Sequence, residues 1–181
     1  MKIPLSLILL LLFITISAQN EYDEKVYGDN KIAISFRKIK DLGEDLPNYH
    51  LTITKNKKII VEDSVYSKVG EIELKDFNGD GIKDILIQNS SDVRSNWTYF
   101  LYLYDRKNKN FTKIKDFETI KNPEYNKNYK LIESRVVSGR DYIKFYKIQG
   151  NTIKDLGEIV YDDHSDADDN GYQKALEKLS K

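Results

Sequence analysis

The chain has 181 residues, with 29 basic and 29 acidic side chains, so its formal charge is zero. A neutral chain offers no basic field for nucleic acid and no acidic tail for a cationic partner. The absence of cysteine excludes disulfides and a lipid anchor on an N-terminal cysteine. The remaining composition, with 40% hydrophobic and 32% charged residues, is typical of a soluble globular protein.

The N-terminus has the pattern of a secretory signal peptide. Lys2 supplies the positive charge, residues 3–16 are almost continuously apolar, and Ser17 and Ala18 are the small residues that precede a cleavage site. We therefore predict a signal peptide over residues 1–18 and a single β-domain over residues 19–181. The mature protein is then expected to be periplasmic or secreted, without a membrane anchor.

The rest of the chain predicts an all-β fold. Tyrosine and phenylalanine, 13 and 7 in number, favour pleated surfaces, and short alternating segments are separated by Gly, Asn and Lys turns. Residues 19–30 and 122–125 are predicted to lie outside strands, and residues 173–181 to form a short helix. The pattern indicates antiparallel sheets in a propeller-like or sandwich-like arrangement. The predicted strands cover residues 31–37, 49–54, 58–65, 71–75, 85–87, 97–104, 111–114, 130–137, 142–148 and 152–161.

Residues 76–84, DFNGDGIKD, carry the strongest motif. Oxygen-bearing side chains recur at alternate positions, and the intervening glycines allow the backbone to turn and direct these oxygens to one point. Calcium prefers six to eight such oxygen ligands. We predict a calcium site in which Ile82 contributes its backbone carbonyl. The predicted side-chain ligands are Asp76, Asn78, Asp80 and Asp84.

The segments on both sides of this loop distinguish it from an EF-hand. Residues 71–75 and 85–87 are strand-like, and Ile87 stands where an EF-hand has a bidentate glutamate. The alternative is a turn that binds no metal, since Gly, Asn and Asp are common turn formers. Three carboxylates at this spacing repel one another without a cation, which favours calcium.

A second acidic stretch, residues 166–177, matches the full EF-hand loop pattern. Its candidate ligands are Asp166, Asp168, Asn170 and Glu177. A predicted strand precedes it where an EF-hand has a helix. The favoured alternative is therefore a solvated acidic linker in which residue 169 or 170 caps the final helix.

Sequence motifs give no support for enzymatic activity. The chain has two histidines, His50 in a predicted strand and His164 in the acidic stretch, and lacks a nucleophile elbow, a P-loop and a zinc-protease motif. We therefore predict that the protein is not an enzyme.

Residues 138–142 form a candidate partner-binding turn between two predicted strands. Ser138, Gly139, Arg140 and Tyr142 belong to a segment that fits S-G-x-x-Y. This segment resembles the loop that several periplasmic lysozyme inhibitors insert into the cleft of the enzyme. The alternative is a hairpin turn that requires Gly139 for a positive φ.

Two further resemblances are to known protein families. The loop at residues 76–84 resembles the calcium loops of FG-GAP/VCBS repeats. The signal peptide, the single such loop, the aromatic strand after it and the tyrosine-rich C-terminal hairpin are similar to a periplasmic, propeller-like family. That family is typified by the Xanthomonas inhibitor of a lysozyme-like type IV secretion effector.

The resemblance implies a calcium-stabilised inhibitor or immunity protein whose partner is a peptidoglycan hydrolase. The alternative function is a calcium-stabilised surface module for adhesion to glycans or proteins, with exposed tyrosines and Trp97 as stacking platforms.

Overall fold

The computed structural model describes residues 20–23, 32–40, 43, 46–162 and 170–180. The predicted signal peptide lies outside these ranges. The described part of the chain forms twelve β-strands, a 3-10 turn over Phe117–Thr119 and one α-helix. The strands are β1 Asn20–Asp23, β2 Ile32–Lys38, β3 Tyr49–Lys55, β4 Lys58–Val65, β5 Ile72–Lys75, β6 Asp84–Ser91, β7 Trp97–Asp105, β8 Asn110–Ile114, β9 Pro123–Asn126, β10 Leu131–Val136, β11 Tyr142–Gln149 and β12 Thr152–Tyr161, and the helix is α1 Asn170–Leu179.

The strands form three antiparallel sheets of four strands each. Sheet 1 contains β1 to β4, sheet 2 contains β5 to β8, and sheet 3 contains β9 to β12. Within each sheet, each strand pairs with its neighbour along the chain, so every sheet is an antiparallel meander. The all-β prediction with antiparallel sheets and a short C-terminal helix is confirmed.

The sheets stack face to face in a sandwich-like arrangement, with the helix as a fourth layer. A first core joins sheets 1 and 2, where Ile34 and Ile53 meet Ile85. A second core joins sheets 2 and 3 and includes Leu86 and Ile132. A third core packs the other face of sheet 3 against α1. Burial of apolar side chains in these three cores therefore holds each layer against the next.

Strand β7 lies between β6 and β8 in the central sheet. Its side chains alternate between two cores: Leu101 belongs to the second, and Tyr102 and Tyr104 belong to the first. This confirms the predicted strand at residues 97–104, and its apolar side chains lie on both faces of the sheet.

Three predictions of local structure were wrong. Residues 122–125 were expected to break the pattern, yet Pro123 begins β9. Proline is tolerated there because β9, which pairs with β10, lies at the edge of sheet 3. Residues 20–23, expected to lie outside strands, pair with β2. The helix begins at residue 170 rather than 173.

Within the described ranges, no helix is long and apolar enough to cross a membrane.

A polar contact fixes sheet 1 against sheet 2. Asp63 of β4 accepts hydrogen bonds from the Tyr102 hydroxyl at 2.6 Å and from Lys113 Nζ at 2.7 Å. Lys113 Nζ also lies 4.6 Å from the centroid of the Phe100 ring. Burial opposes ionisation of Asp63, but these two hydrogen bonds and the lysine charge lower its pKa below the ordinary 3.8.

We expect this contact to make stability depend on pH. Because the folded-state pKa of Asp63 is lowered, its contribution to stability is present above about pH 4 and is lost as the pH falls through the folded pKa. Urea unfolding between about pH 5 and pH 2 should show this loss, which Asp63→Asn should reduce. An identical pH dependence in wild type and Asp63→Asn would contradict the assignment.

Candidate functional site

The acidic loop, residues 76–84, lies at the end of sheet 2, between β5 and β6. Phe77 is fully buried in the second core, where its ring meets Phe117 at 5.1 Å and Tyr125 at 6.3 Å between centroids. Ile82 is buried in the first core. The two apolar residues of the loop thus anchor it in opposite cores, and its position connects all three sheets.

The polar side chains of the loop hold the backbone in its turns. Asp76 accepts hydrogen bonds from the N–H groups of Gly79, Asp80 and Gly81 at 2.8 to 3.1 Å. Asp80 accepts from the N–H of Ile82 at 2.8 Å. These bonds depend on the glycines, since Gly79 and Gly81 adopt φ values of 74° and 84°.

Asp84 is completely buried, and both of its oxygens accept backbone N–H groups. Tyr104 N–H donates at 2.9 Å to one oxygen, and Phe77 N–H donates at 2.9 Å to the other. Burial raises the pKa of Asp84 to about 7, although these two hydrogen bonds oppose the shift. The nearby carboxylates of Asp80 and Asp76 raise it further. Negative charge therefore converges on Asp84.

The loop fits a hard cation in the chemistry of its donors, which are all oxygen. The convergence of carboxylates on a buried Asp84 also fits one, since a dication would remove their repulsion. Within the described ranges, no three His, Cys, Asp or Glu side chains are grouped so that they could hold a metal ion. The loop carboxylates instead accept backbone N–H groups of the loop itself and of Tyr104 on β7, so the calcium site stays a prediction.

Sequence reasoning missed the neighbours of the loop. Tyr125 of sheet 3 covers Gly79, and an added Cβ there would lie 2.8 Å from the Tyr125 ring. Arg106 donates to the Asp80 carbonyl at 3.2 Å, and Lys127 Nζ lies 3.9 Å from Asp76. These contacts come from residues that are distant in the sequence, so no local pattern could indicate them.

The second acidic stretch is only partly described. Asp166 and Asp168 lie outside the described residues, whereas residues 170–179 form α1. A helix over the later positions of the motif does not wrap oxygens around one ion as a calcium loop does. Glu177 instead accepts a hydrogen bond from Gln173 Nε2 at 3.2 Å on the exposed helix surface. The described part of this stretch is therefore helix rather than loop, and both the second metal site and the cap at residue 169 or 170 stay predictions.

Residues 138–142, the hairpin tip, connect β10 to β11 and form a closed turn. Ser138 N–H donates to Asp141 at 2.7 Å, and the Ser138 hydroxyl donates to the Arg140 carbonyl. The Arg140 guanidinium carbon lies 3.9 Å from the centroid of the Tyr161 ring, which stacks beneath the cation. Tyr142 meets Tyr161 edge to face at 6.1 Å. The predicted partner-binding residues are thus brought together on an ordered turn.

Gly139 does not have the role that the hairpin-turn alternative gave it. It is exposed, its φ lies outside the left-handed region, and an added Cβ would meet nothing within 4 Å. The turn therefore forms without a positive φ at this residue.

The two glycines should respond differently to alanine. Gly79→Ala combines a positive φ with a collision against Tyr125, so we expect a loss of about 1–3 kcal/mol in the free energy of unfolding. Gly139→Ala should change it by less than about 0.5 kcal/mol, because the site is open. Urea unfolding of the two variants side by side measures the difference. Equal effects would contradict the loop geometry.

His50 of β3 lies beside Ser64 and Glu62, with ring nitrogens 3.2 Å from each side-chain oxygen. These are contacts between the neighbouring strands β3 and β4 at the surface of sheet 1. His164 lies outside the described residues.

The described part of the chain thus combines three stacked antiparallel meanders with an acidic strand-loop-strand segment in the central sheet. A solved structure described as that of a Xanthomonas type IV secretion system related protein is similar to this chain. The TM-score is 0.50, the sequence identity is 17%, and the match covers 81% of this chain and 80% of that chain. At this identity the likeness concerns the fold.

Sequence comparisons add no assignment. No protein-family profile matches this chain, and no curated protein is significantly similar to it. The likeness of residues 76–84 to FG-GAP/VCBS repeats therefore rests on the motif of that loop.

Proposed function

We propose that this protein is an exported, calcium-stabilised β-domain that binds and inhibits a cell-wall hydrolase. The observation that carries the proposal is the shared fold over four fifths of both chains with a type IV secretion system related protein. It agrees with the family resemblance in the sequence, which implies an inhibitor of a lysozyme-like enzyme. The N-terminal signal pattern supports export.

The hairpin tip is the proposed contact with the hydrolase. Its internal hydrogen bonds and the stacking of Arg140 on Tyr161 order the turn in advance, so binding costs little conformational entropy. Glycoside hydrolases cleave between two carboxyl groups in a cleft. A guanidinium on a projecting turn is suited to pair with such carboxylates by charge-assisted hydrogen bonds.

The calcium ion has a structural role in this proposal. Asp76, Asn78, Asp80 and Asp84, with the Ile82 carbonyl, are the residues that would hold it. The ion would neutralise the carboxylates that converge on Asp84 and stabilise a loop anchored in two cores. In an exported chain without disulfides, this loop strengthens the junction of the three sheets.

Inhibition assays with a panel of muramidases, including lysozymes of several classes, test the function. We expect the protein to inhibit at least one, and Arg140→Ala to weaken that inhibition on the order of ten-fold or more, since desolvated arginines are frequent hot spots. Arg37→Ala, an exposed arginine on sheet 1, is the matched control and should inhibit as wild type does. Failure against the whole panel would overturn the proposal, and glycan binding without inhibition would favour the adhesion module.

A further inference from the structure

An Asn-Gly pair lies within the acidic loop. Asn78 is partly exposed, Gly79 is exposed, and both belong to residues 76–83, which form neither strand nor helix. The side-chain carbon Cγ of an asparagine is an electrophile that the main-chain nitrogen of the next residue can attack. Glycine favours this attack because it has no side chain to hinder the nitrogen. Water also has access to the pair, so both steps of a deamidation are open to it.

Hydrogen bonds in the loop act on both reacting groups. Gly79 N–H donates to Asp76 Oδ1 at 2.8 Å, and an ionised acceptor increases the electron density on this nitrogen. Asn78 Oδ1 accepts the N–H of Asp80 at 3.0 Å. Negative charge develops on Oδ1 when Cγ is attacked, and a donor already in place stabilises it. The loop thus provides an acceptor for the nucleophile and a donor for the electrophile.

The main chain at Gly79 is held in one arrangement. Its φ is 74°, and an added Cβ would lie 2.8 Å from the ring of Tyr125. Tyr125 packs in turn against the buried Phe77. The reacting groups are therefore kept together by the fold, which reduces the entropy that ring closure costs.

We propose that Asn78 is a site of spontaneous deamidation through a succinimide formed with Gly79. A bond forms between Gly79 N and Asn78 Cγ, the Cγ–Nδ2 bond breaks, and the amide proton of Gly79 leaves with Nδ2 as ammonia. Water then opens the ring at one of its two carbonyls. Opening at Cγ gives aspartate at position 78, and opening at the main-chain carbonyl gives isoaspartate. Water is the only co-reactant, and no metal ion takes part.

Either product changes the charges of the loop. Asn78 Nδ2 donates to Asp80 Oδ2 at 3.2 Å, and deamidation puts a carboxylate oxygen in place of this donor. An attraction thereby becomes a repulsion between like charges. Isoaspartate also adds a methylene group to the main chain, which displaces the N–H groups that Asp76 accepts. The modified loop is thus less stable than the original one when no cation is bound.

A second Asn-Gly pair is an internal control. Asn170 and Gly171 are the first two residues of α1. The succinimide ring fixes ψ of the asparagine outside the helical range, so ring closure at this pair requires the end of the helix to unwind. We therefore expect Asn78 to be converted several-fold faster than Asn170.

Peptide mapping by mass spectrometry, after incubation of the purified protein at neutral pH in EDTA, tests the proposal. We expect aspartate and isoaspartate to accumulate at position 78, the latter detected by an isoaspartate-specific methyltransferase. Asn78→Gln would need a six-membered ring, so residue 78 should then stay unmodified. The melting temperature of Asn78→Asp in EDTA should lie below that of Asn78→Gln, because only the former adds a charge.

Three results would overturn the proposal. An intact Asn78 after prolonged incubation would exclude the succinimide, whether or not Asn170 is converted. Equal rates at Asn78 and Asn170 would show that the loop does not favour the reaction. Aspartate without any isoaspartate at position 78 would indicate direct hydrolysis of the amide instead of ring closure with Gly79.

Discussion

Phe77→Ala is expected to lower the free energy of unfolding by about 3–5 kcal/mol, the usual cost of emptying a buried phenylalanine site. The side chain is fully buried between sheets 2 and 3, and its ring packs against Phe117 and Tyr125. The cavity would open at the point where the acidic loop enters the second core. Thermal unfolding should show a decrease of roughly 10 °C.

Two comparisons identify the cause. Phe77→Leu keeps most of the volume and should lose about 1.5 kcal/mol or less. Val93→Ala removes apolar atoms that are already in water, so its effect should be below about 0.5 kcal/mol. If Phe77→Ala were as mild as Val93→Ala, the loop would not be anchored through this ring.

Asp84→Ala is expected to lower the free energy of unfolding by about 2–4 kcal/mol, since it leaves two buried N–H groups without acceptors. These groups belong to Phe77 and Tyr104, on the loop and on the central strand β7. The loss should persist in EDTA, because the hydrogen bonds do not depend on a metal ion. Urea unfolding in EDTA measures it directly.

Asp84→Asn is the informative control. The amide keeps one acceptor and removes the buried charge that Asp80 and Asp76 repel, so in EDTA it should lose less than Asp84→Ala. Equal losses in EDTA for the two variants would mean that the acceptor retained by asparagine contributes nothing. That result would contradict the account of Asp84 as the hydrogen-bonded link between the loop and β7.

Much of the secondary structure could be predicted because most strands are half-buried and alternate. Strands β4 and β12 have the predicted bounds, and β7 was predicted from its run of aromatic and aliphatic residues. Strand β9 could not be predicted from the sequence, since its four residues begin with a proline and show little alternation of polar and apolar side chains. It exists because Glu124 and Tyr125 find partners on β10, a contact that depends on the tertiary fold.

The order in which the sheets stack could not be predicted from the sequence either, because it also depends on tertiary contacts. Alternation places Ile85 and Leu86 on opposite faces of β6, but it does not say which sheet covers each face. The structure places Ile85 against sheet 1 and Leu86 against sheet 3. That choice fixes the acidic loop at the junction of all three sheets.

At the candidate site, spacing identified the oxygen-bearing residues but not their surroundings. The burial of Asp84 and its bonds to Phe77 and Tyr104 depend on how sheet 2 packs. The hairpin-turn alternative required a positive φ at Gly139, but the φ of this residue lies outside the left-handed region.

The proposal that residues 76–84 bind a calcium ion is tested most directly by melting temperatures in calcium and in EDTA. At about 1 mM calcium and a Kd near 10⁻⁴ M, the wild-type protein should gain on the order of 1–1.5 kcal/mol, or roughly 4 °C. Asp80→Asn keeps the acceptor for Ile82 N–H but removes one charge. It should not respond to calcium, and in EDTA it should melt at or above the wild-type temperature, since repulsion of Asp84 is relieved. A wild-type melting temperature that is the same in calcium and in EDTA would contradict the claim.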